Sequence, residues 1–510
     1  MNQVYTFHKT VRGHLHIMND IVCEDASISF SSANGKYHIA IVADGHGSKA
    51  CFRSEFGSKI ATEVALECLQ QFAETMLVSD ESEKRFYVDV FSNPRFRKIT
   101  LRHLTDTIIA EWYNRVCDNY KNNPPTIEEI EECDTECKNV TDIAHIYGTT
   151  LIAALQLSEC LILLHQGDGR CEVFFHNGTI EQPIPWDLRC EDTTTTSLCD
   201  VDVADSFRTC VINLKEKPVM ACYLGSDGVE DAYRDTYEEL GGSHILMGGV
   251  HTFYKDLTCQ IASMEQEQFE KYTESMLSEF SANGRFGGSG SGDDVSVAGI
   301  VNIDAIQSYV KQFQCDIRRY ALEEKLFWKE DELRGKSRKH DILKNRMNDA
   351  KEELKKEQEV KRVLEVKLQQ LKMKRHSQAR VVEQEKKELE KCRQEQQVIT
   401  NKLGTDLLEN LHISKSYISS AFLQFYNDLH AGYSCEEIKY NKSLEKLLLY
   451  DENIRKLEED QLNEAEKIQD LENKFRESQE IFKIYDEKYQ EIDCERRSIV
   501  EEIAALPEEK

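Results

Sequence analysis

Three features are scarce in this 510-residue sequence: long apolar runs, paired metal-binding cysteines, and glycine or proline in its C-terminal part. No stretch of 18 consecutive apolar residues occurs, which excludes a typical membrane-spanning helix. The first residues lack the apolar core of a secretory signal, so we expect a cytoplasmic protein with reduced thiols. The 17 cysteines are scattered, and the closest pair, Cys133 and Cys137, has no second Cys or His pair that would complete a zinc site.

Basic residues are outnumbered, with 64 Lys and Arg against 92 Asp and Glu, which gives a formal net charge of −28. The excess of acids lies in residues 1–305, which hold 48 acidic and only 24 basic residues. Because nucleic-acid binding depends on clustered Lys and Arg, this composition argues against DNA or RNA as a partner. Residues 306–510 are nearly balanced, with 40 basic and 44 acidic residues, and therefore form a different kind of polypeptide.

Glycine and proline divide the chain at the same place. Residues 1–305 contain 21 of the 24 glycines and six of the seven prolines, which is typical of a turn-rich globular domain. Two amphipathic stretches, 48–76 and 99–120, predict helices, and short runs of β-forming residues predict strands. This order favours an α+β fold in which helices pack on antiparallel sheets. The predicted strands are 26–30, 37–43, 150–157, 161–166, 219–224 and 295–301.

The C-terminal part predicts a long helical arm. Apolar residues recur at spacings of three and four over about 343–371 and 447–492, which is the pattern of a coiled coil. An antiparallel hairpin within one chain and a parallel dimer both satisfy this pattern. In either arrangement we expect the arm to bind a protein partner, to self-associate or to localise the chain. The predicted helices are about 318–403 and 440–503, joined by a bend at about 404–440.

Acidic residues stand at the ends of several predicted strands, and most are next to glycine, which permits tight turns and close backbone approach. Carboxylates that converge at one edge repel one another unless cations lie between them, and oxygen ligands favour Mg²⁺ or Mn²⁺. Asp-Gly after a strand is also the sequence of an ordinary turn, so each motif alone is weak. The residues are Glu24, Asp25, Asp44, Asp168, Asp227, Asp293 and Asp294.

Taken in order, these motifs resemble the type 2C metal-dependent Ser/Thr protein phosphatases, in a divergent, bacterial-type branch. The resemblance covers residues 1–305 and none of the arm. The motifs that carry it are Glu24-Asp25, Val42-Ala43-Asp44-Gly45-His46-Gly47, Tyr147-Gly148-Thr149-Thr150, Gly167-Asp168-Gly169-Arg170, Ser226-Asp227-Gly228-Val229 and Asp293-Asp294-Val295-Ser296-Val297.

The resemblance implies two stacked antiparallel sheets flanked by helices, with two Mg²⁺ or Mn²⁺ ions at one end. It implies hydrolysis of phosphoserine and phosphothreonine in proteins by a water activated between the metals, with His46 protonating the leaving alcohol. This reaction class also implies a Ser/Thr kinase that acts on the same proteins. The implied metal ligands are Asp44 (bridging both ions), the Gly45 carbonyl, Asp227, Asp293 and Glu24 or Asp25, with Asp168 and Asp231 near a third, weaker ion.

One position departs from the family pattern. The family's phosphate-binding Arg lies four residues before the first acid of the early acidic pair, and here that position is Asp20, which would repel phosphate. Arg12, His14 and His16 are the candidates to bind phosphate instead. Two alternatives therefore stay open: a phosphatase-like scaffold with weak or no activity, and a hydrolase of phosphodiesters or small phosphates that uses the same metal chemistry.

Overall fold

The computed structural model describes residues 3–132, 143–190, 194–233, 237–240, 243–246, 249–284, 290–388 and 435–507. The chain divides into two units, one formed by Met1–Trp328 with Arg497–Lys510 and the other by Lys329–Arg496. The first unit contains β-sheets with helices outside them, and the second is helical. No helix among these residues is long and apolar enough to cross a membrane.

The first unit is built mainly from antiparallel strands and amphipathic helices. Its strands are β1 Val4–Val11, β2 Ala26–Ser31, β3 His38–Ala43, β4 Leu151–Gln156, β5 Cys160–Gln166, β6 Arg170–Phe175, β7 Ile180–Glu181, β8 Arg208–Asn213, β9 Val219–Gly225, β10 Tyr237–Leu240, β11 Ser243–Leu246 and β12 Val295–Asn302. Its helices are α1 His14–Met18, α2 Ser54–Met76, α3 Asp80–Ser92, α4 Pro94–Asn122, α5 Ile127–Glu132, α6 Val203–Ser206, α7 Asp227–Glu230, α8 Gly249–Ser263, α9 Gln266–Asn283 and α10 Ile303–Ile306, with a 3₁₀ turn at Ile143–Tyr147.

Two five-stranded antiparallel sheets face each other. Sheet A has the order β1-β12-β9-β6-β7, and sheet B has the order β2-β3-β4-β5-β8. Along β3, Ala40 and Val42 lie in the core between the sheets, whereas Ile39 and Ile41 belong to the core that sheet B forms with α2 and α4. This period of two explains why the strand is apolar at every position from Ile39 to Ala43. The α+β sandwich expected from the sequence is confirmed.

A third core covers the outer face of sheet A. Phe7, Tyr223 and Val297 from its strands pack with residues of α8 and α9. The first unit continues past residue 305 because Phe313 is buried in this core, with its ring centroid 5.7 Å from that of Phe174.

The strand register places the acidic motifs at one end of the sandwich. Ala26 at the start of β2 pairs with Ala43 at the end of β3. On the other sheet, Gly225 at the end of β9 pairs with both Val297 and Arg170, near the starts of β12 and β6. The segments that precede β2 and β12 therefore lie at the same end of the sandwich as the segments that follow β3 and β9.

In the second unit, two long helices run antiparallel. They belong to α11 (Val310–Glu388) and α12 (Cys435–Ala505). Ion pairs join them in opposite chain order, from Lys329–Glu495 through Glu357–Lys467 to Lys372–Glu458. Most of the predicted bend, residues 404–434, lies outside the described residues, as do Cys133 and Cys137.

Candidate metal centre

The backbone of Asp44 is held by two threonines of the segment before β4. The Asp44 N–H donates to Thr150 Oγ1 at 3.0 Å. The Asp44 carbonyl accepts from the Thr150 N–H and from Thr149 Oγ1, both at 2.8 Å. These bonds fix the backbone of Asp44, so only its side chain can rotate. The carboxylate therefore projects from a fixed position at the end of β3.

Gly45 allows the early acidic pair to approach this loop. A Cβ at Gly45 would lie 2.5 Å from the carbonyl oxygen of Glu24, so no larger residue fits without a shift of backbone. Ser58 Oγ donates to that carbonyl at 2.5 Å, and Ser54 Oγ donates to Glu24 Oε1 at 2.6 Å. Helix α2 thus positions Glu24, although burial still raises the pKa of its carboxyl.

Three buried or partly buried carboxyl groups interact at this edge. Burial, together with the charges of Asp25 and Asp227, raises the pKa of Asp44 well above its ordinary range. Burial and the charge of Asp168 likewise raise the pKa of Asp227 well above its ordinary range. The Asp227 carboxyl shares a hydrogen bond with that of Asp44. Burial and the charge of Asp294 raise the pKa of Asp25 to about 8. Such shifts are the electrostatic sign of carboxyl groups that are buried close to one another.

Asp168 and Asp231 flank this cluster. Burial raises the pKa of Asp168, while a hydrogen bond from Thr195 opposes the shift. Asp231 follows α7 and is exposed, and its N–H donates to the Asp227 carbonyl at 2.9 Å. The charge of Asp231 acts on Asp227, so these two predicted ligands of a third ion both lie beside Asp227.

Asp294, which is not among the implied metal ligands, connects three segments. Its carboxylate accepts from the Gly13 N–H at 2.6 Å and from the Glu24 N–H at 2.5 Å. It also accepts from His16 Nδ1 at 3.0 Å. The neighbouring Asp293 is more than half exposed, and its Oδ1 lies 3.4 Å from His16 Nε2. The adjacent acids therefore differ: Asp294 is a buried acceptor, and Asp293 faces outward.

His46 follows Asp44 and Gly45 in the loop after β3, and its ring lies next to Gly148. A Cβ at Gly148 would be 2.7 Å from His46 Cδ2 and 3.0 Å from Cys51 Sγ, so the ring packs against this part of the chain. Burial lowers the pKa of His46 to about 4, while the charge of Asp200 opposes the shift.

Among the residues considered for phosphate binding, Arg12 and His16 already face groups of the protein. Arg12 Nε donates to the Ile21 carbonyl at 2.5 Å, and its Nη2 donates to the His16 carbonyl at 3.1 Å. His14 is exposed, with its N–H bonded to Ser281 Oγ at 2.7 Å. Asp20 is fully exposed and has a left-handed backbone, with φ of 56°. Arg12 Nη2 lies 3.5 Å from Asp20 Oδ1, so an arginine does reach the substituted position, where it faces the Asp20 carboxylate.

The cluster fits divalent cations. The Oδ2 atom of Asp25 is buried and has no hydrogen-bond partner among the residues that the structure describes. Carboxylate oxygens are the ligands that hard divalent ions prefer, and cations would relieve the repulsion that raises the pKa values of Asp25, Asp44 and Asp227. Asp293, which is more than half exposed, offers a further carboxylate at this end of the sandwich.

A family profile described as Protein phosphatase 2C matches residues 12–276, just over half of the chain. No curated protein matches this chain. Among solved structures, the Ser/Thr phosphatase Stp1 from Staphylococcus aureus is 16% identical, with 59% of this chain and 95% of that one covered and a TM-score of 0.33. The catalytic domain of the phosphatase PstP, solved with two manganese ions, is 15% identical, with 58% and 97% covered and a TM-score of 0.33. A sex-determining protein of C. elegans is 14% identical, with 61% and 68% covered and a TM-score of 0.35.

Proposed function

This chain belongs to the protein phosphatase 2C family, and we propose that it is a metal-dependent phosphatase that hydrolyses phosphoserine and phosphothreonine in proteins. The observation that carries this proposal is the cluster of Asp25, Asp44 and Asp227, whose pKa values are raised by burial and by one another. Unpaired buried carboxylates cost stability, so a cluster that serves only structure has no evident benefit.

In this proposal, Asp44 holds both of two Mg²⁺ or Mn²⁺ ions. When bound, such ions supply a water of lowered pKa as the nucleophile and offset charge on the phosphoryl oxygens. The other ligands are the Gly45 carbonyl, Asp227, Asp293 and Glu24 or Asp25, and a third ion would lie by Asp168 and Asp231.

The chain's own residues would keep this centre rigid. Thr149 and Thr150 fix the backbone of Asp44, and Asp294 fixes the backbone of Glu24. A fixed carboxylate geometry lowers the cost of assembling the site each time substrate binds. We propose His46 as the donor of a proton to the leaving alcohol of a serine or threonine substrate. Because burial lowers the pKa of His46 to about 4, the ring is largely neutral at neutral pH, and only its small protonated fraction would donate.

The second candidate is a scaffold with weak or no activity. It is favoured by the surroundings of Asp20, because Arg12 donates to main-chain carbonyls and both ring nitrogens of His16 face carboxylates. If His14 does not bind phosphate either, substrate affinity depends on the metals alone.

The helical arm has a separate proposed role. We propose that α11 and α12 form an antiparallel coiled coil within one chain, and that its outer surface binds a protein partner or localises the phosphatase near its substrates. A Ser/Thr kinase that phosphorylates the same substrates is the expected functional counterpart. Light scattering on the purified chain measures its mass, and a dimer held by the arm would contradict the intrachain arrangement.

The test is phosphate release by the purified full chain from a phosphothreonine peptide, p-nitrophenyl phosphate and bis-p-nitrophenyl phosphate. Each substrate is assayed with Mn²⁺, with Mg²⁺ and with EDTA. We expect metal-dependent release, with the highest kcat/KM for the peptide. A preference for the diester or the small monoester would identify a small-phosphate hydrolase, and no release from folded protein with any substrate would favour the scaffold.

A further inference from the structure

The ring of His16 lies between two carboxylates of different burial. Nδ1 is 3.0 Å from Asp294 Oδ1, and Nε2 is 3.4 Å from Asp293 Oδ1. The His16 side chain is 14% exposed, that of Asp294 is 3% exposed, and that of Asp293 is 56% exposed. One ligand atom from each of the three residues lies within 4.8 Å of the others. The ring therefore bridges the protein interior and the accessible edge of the acidic cluster.

The hydrogen bond between His16 Nδ1 and Asp294 determines whether His16 Nε2 can bind a metal ion. Asp294 is held by the N–H groups of Gly13 and Glu24 and is a fixed acceptor. In a neutral ring whose Nδ1–H donates to Asp294, the lone pair is on Nε2, which faces Asp293. Metal-binding histidines commonly have this arrangement, in which a carboxylate accepts from one ring nitrogen and the metal takes the other.

The short helix α1, which carries His16, is anchored to the segment that carries Asp293. Leu15 N–H donates to the Gly292 carbonyl at 2.8 Å. A Cβ at Gly13 would lie 2.5 Å from that carbonyl oxygen, so the two backbones are in close contact. Ser281 Oγ donates to the Asp293 carbonyl at 2.8 Å and accepts from the His14 N–H. His16 and Asp293 thus form a prearranged pair, as a ligand set requires.

A separate observation indicates a cation at this edge. Asp25, which is 5% exposed, has an unpartnered Oδ2, and its carboxyl is close enough to Asp293 and Asp294 to feel both charges. Within the described parts of the chain, no Lys or Arg forms an ion pair with any of these three acids.

We propose that His16 Nε2 is a ligand of the divalent ion that Asp293 binds. This inference rests on the proposed function for the presence of that ion. It gives one metal position a nitrogen ligand beside its oxygen ligands. Imidazole favours later transition metals, so relative to an all-oxygen site this position would prefer Co²⁺ or Ni²⁺ over Mg²⁺. It also removes His16 from the residues available to bind phosphate.

The test uses the full chain, stripped with EDTA and loaded with Mn²⁺ without substrate. Pulsed electron paramagnetic resonance detects the ¹⁴N coupling of an imidazole bound to Mn²⁺. We expect this coupling in the wild type and in His14→Ala, an exposed neighbour on the same helix, and its loss in His16→Ala. Mn²⁺ affinity should fall by at least about 10- to 100-fold in His16→Ala, because that is the loss when only a hydrogen-bond partner of a ligating histidine is removed. The ratio of Co²⁺ to Mg²⁺ affinity should fall in the same variant.

The outcomes separate this inference from the function on which it rests. Mn²⁺ binding by the wild type without imidazole coupling overturns the role of His16 and leaves a metal-dependent phosphatase intact. No Mn²⁺ binding overturns both. If His16→Ala keeps its Mn²⁺ affinity but raises KM for a phosphopeptide, His16 binds phosphate and is not a metal ligand. A wild-type spectrum without imidazole coupling decides against His16 even if the His16→Ala protein does not fold.

Discussion

Asp44 and Thr150 form a reciprocal pair across more than a hundred residues of sequence. The Asp44 N–H donates to Thr150 Oγ1 at 3.0 Å, and the Thr150 N–H donates to the Asp44 carbonyl at 2.8 Å. The pair connects the loop after β3 to the start of β4. Because both main-chain polar groups of Asp44 are satisfied, its carboxylate projects from a fixed backbone at the end of β3.

Replacing Thr150 by Val should therefore weaken both the fold and the metal centre. The Asp44 N–H would lose its acceptor in a buried setting, at a cost of about 1–3 kcal/mol in the free energy of unfolding. Urea unfolding of the EDTA-treated protein measures this cost. Thr150→Ser, which keeps the hydroxyl, is the control and should lose much less. Equal stability of the Val and Ser variants would show that the hydroxyl does not position Asp44.

His46 should matter only for leaving groups that need a proton. With a phosphothreonine peptide, His46→Gln should lower kcat about 10²–10⁴-fold, the usual contribution of a general acid. With p-nitrophenyl phosphate, whose phenolate leaves without protonation, the same variant should lose little. A similar loss with both substrates would indicate that His46 maintains the structure of the Asp44 loop and does not donate the proton.

His165 should make the protein less stable in mild acid. Burial and the charges of Arg208 and Arg170 hold the pKa of His165 well below its ordinary value of 6.5. Below pH 6.5 the unfolded chain then binds a proton that the folded chain does not, so stability falls as pH falls, by at most about 1.4 kcal/mol per pH unit. His165→Leu removes this titration. Its free energy of unfolding should depend less on pH between 7 and 5 than that of the wild type or of the exposed-site control His176→Ala.

Strands β2, β3, β4, β5, β9 and β12 could be predicted because their runs are rich in β-forming residues, and most of the acidic residues at their ends are marked by a neighbouring glycine. Strands β1, β6, β7, β8, β10 and β11 were not predicted, and β1 shows why. Its polar residues bond across to β2, as in His8 Nδ1 with Ser29 Oγ at 2.9 Å, so the strand is only partly buried and lacks an apolar run. Pairing with β12 supplies its main-chain partners, and that pairing is a tertiary contact that no local pattern reveals.

Of the residues in the candidate metal centre, only the acidic residues of the motifs could be predicted from the sequence. Asp44 and Asp227 are marked by their motifs, but the roles of Asp294 and His16 depend on contacts across more than 250 residues. The orientation of Arg12 toward carbonyls likewise follows from the turn after α1, where Asp20 has a left-handed backbone. Sequence spacing carries no signal for either arrangement.

In the helical unit, His340 should fix the pairing of the two long helices. Its Nε2 lies 2.8 Å from Asp486 Oδ1, and its ring stacks on Tyr489 with the ring centroids 4.6 Å apart. His340→Ala removes both contacts and should cost about 1–3 kcal/mol, the sum expected for one hydrogen bond and one ring contact. Hydrogen exchange over residues 329–388 in the full chain measures the loss of protection. The exposed His376→Ala, on the same helix, should change nothing, and equal protection in the two variants would contradict the role of His340.

The most direct test of the account is phosphate release from a phosphothreonine peptide by the wild type and by Asp227→Asn, each with Mn²⁺ and with EDTA. Asp227→Asn keeps the size of the side chain but removes the charge that the cluster offers to a cation. We predict Mn²⁺-dependent release by the wild type, none in EDTA, and a loss of at least about 10²-fold in the variant, comparable to the loss of one major electrostatic contribution to catalysis. Circular dichroism should show that the variant is folded. Equal release by both proteins, or wild-type release that persists in EDTA, would contradict a metal-dependent phosphatase centred on Asp44 and Asp227.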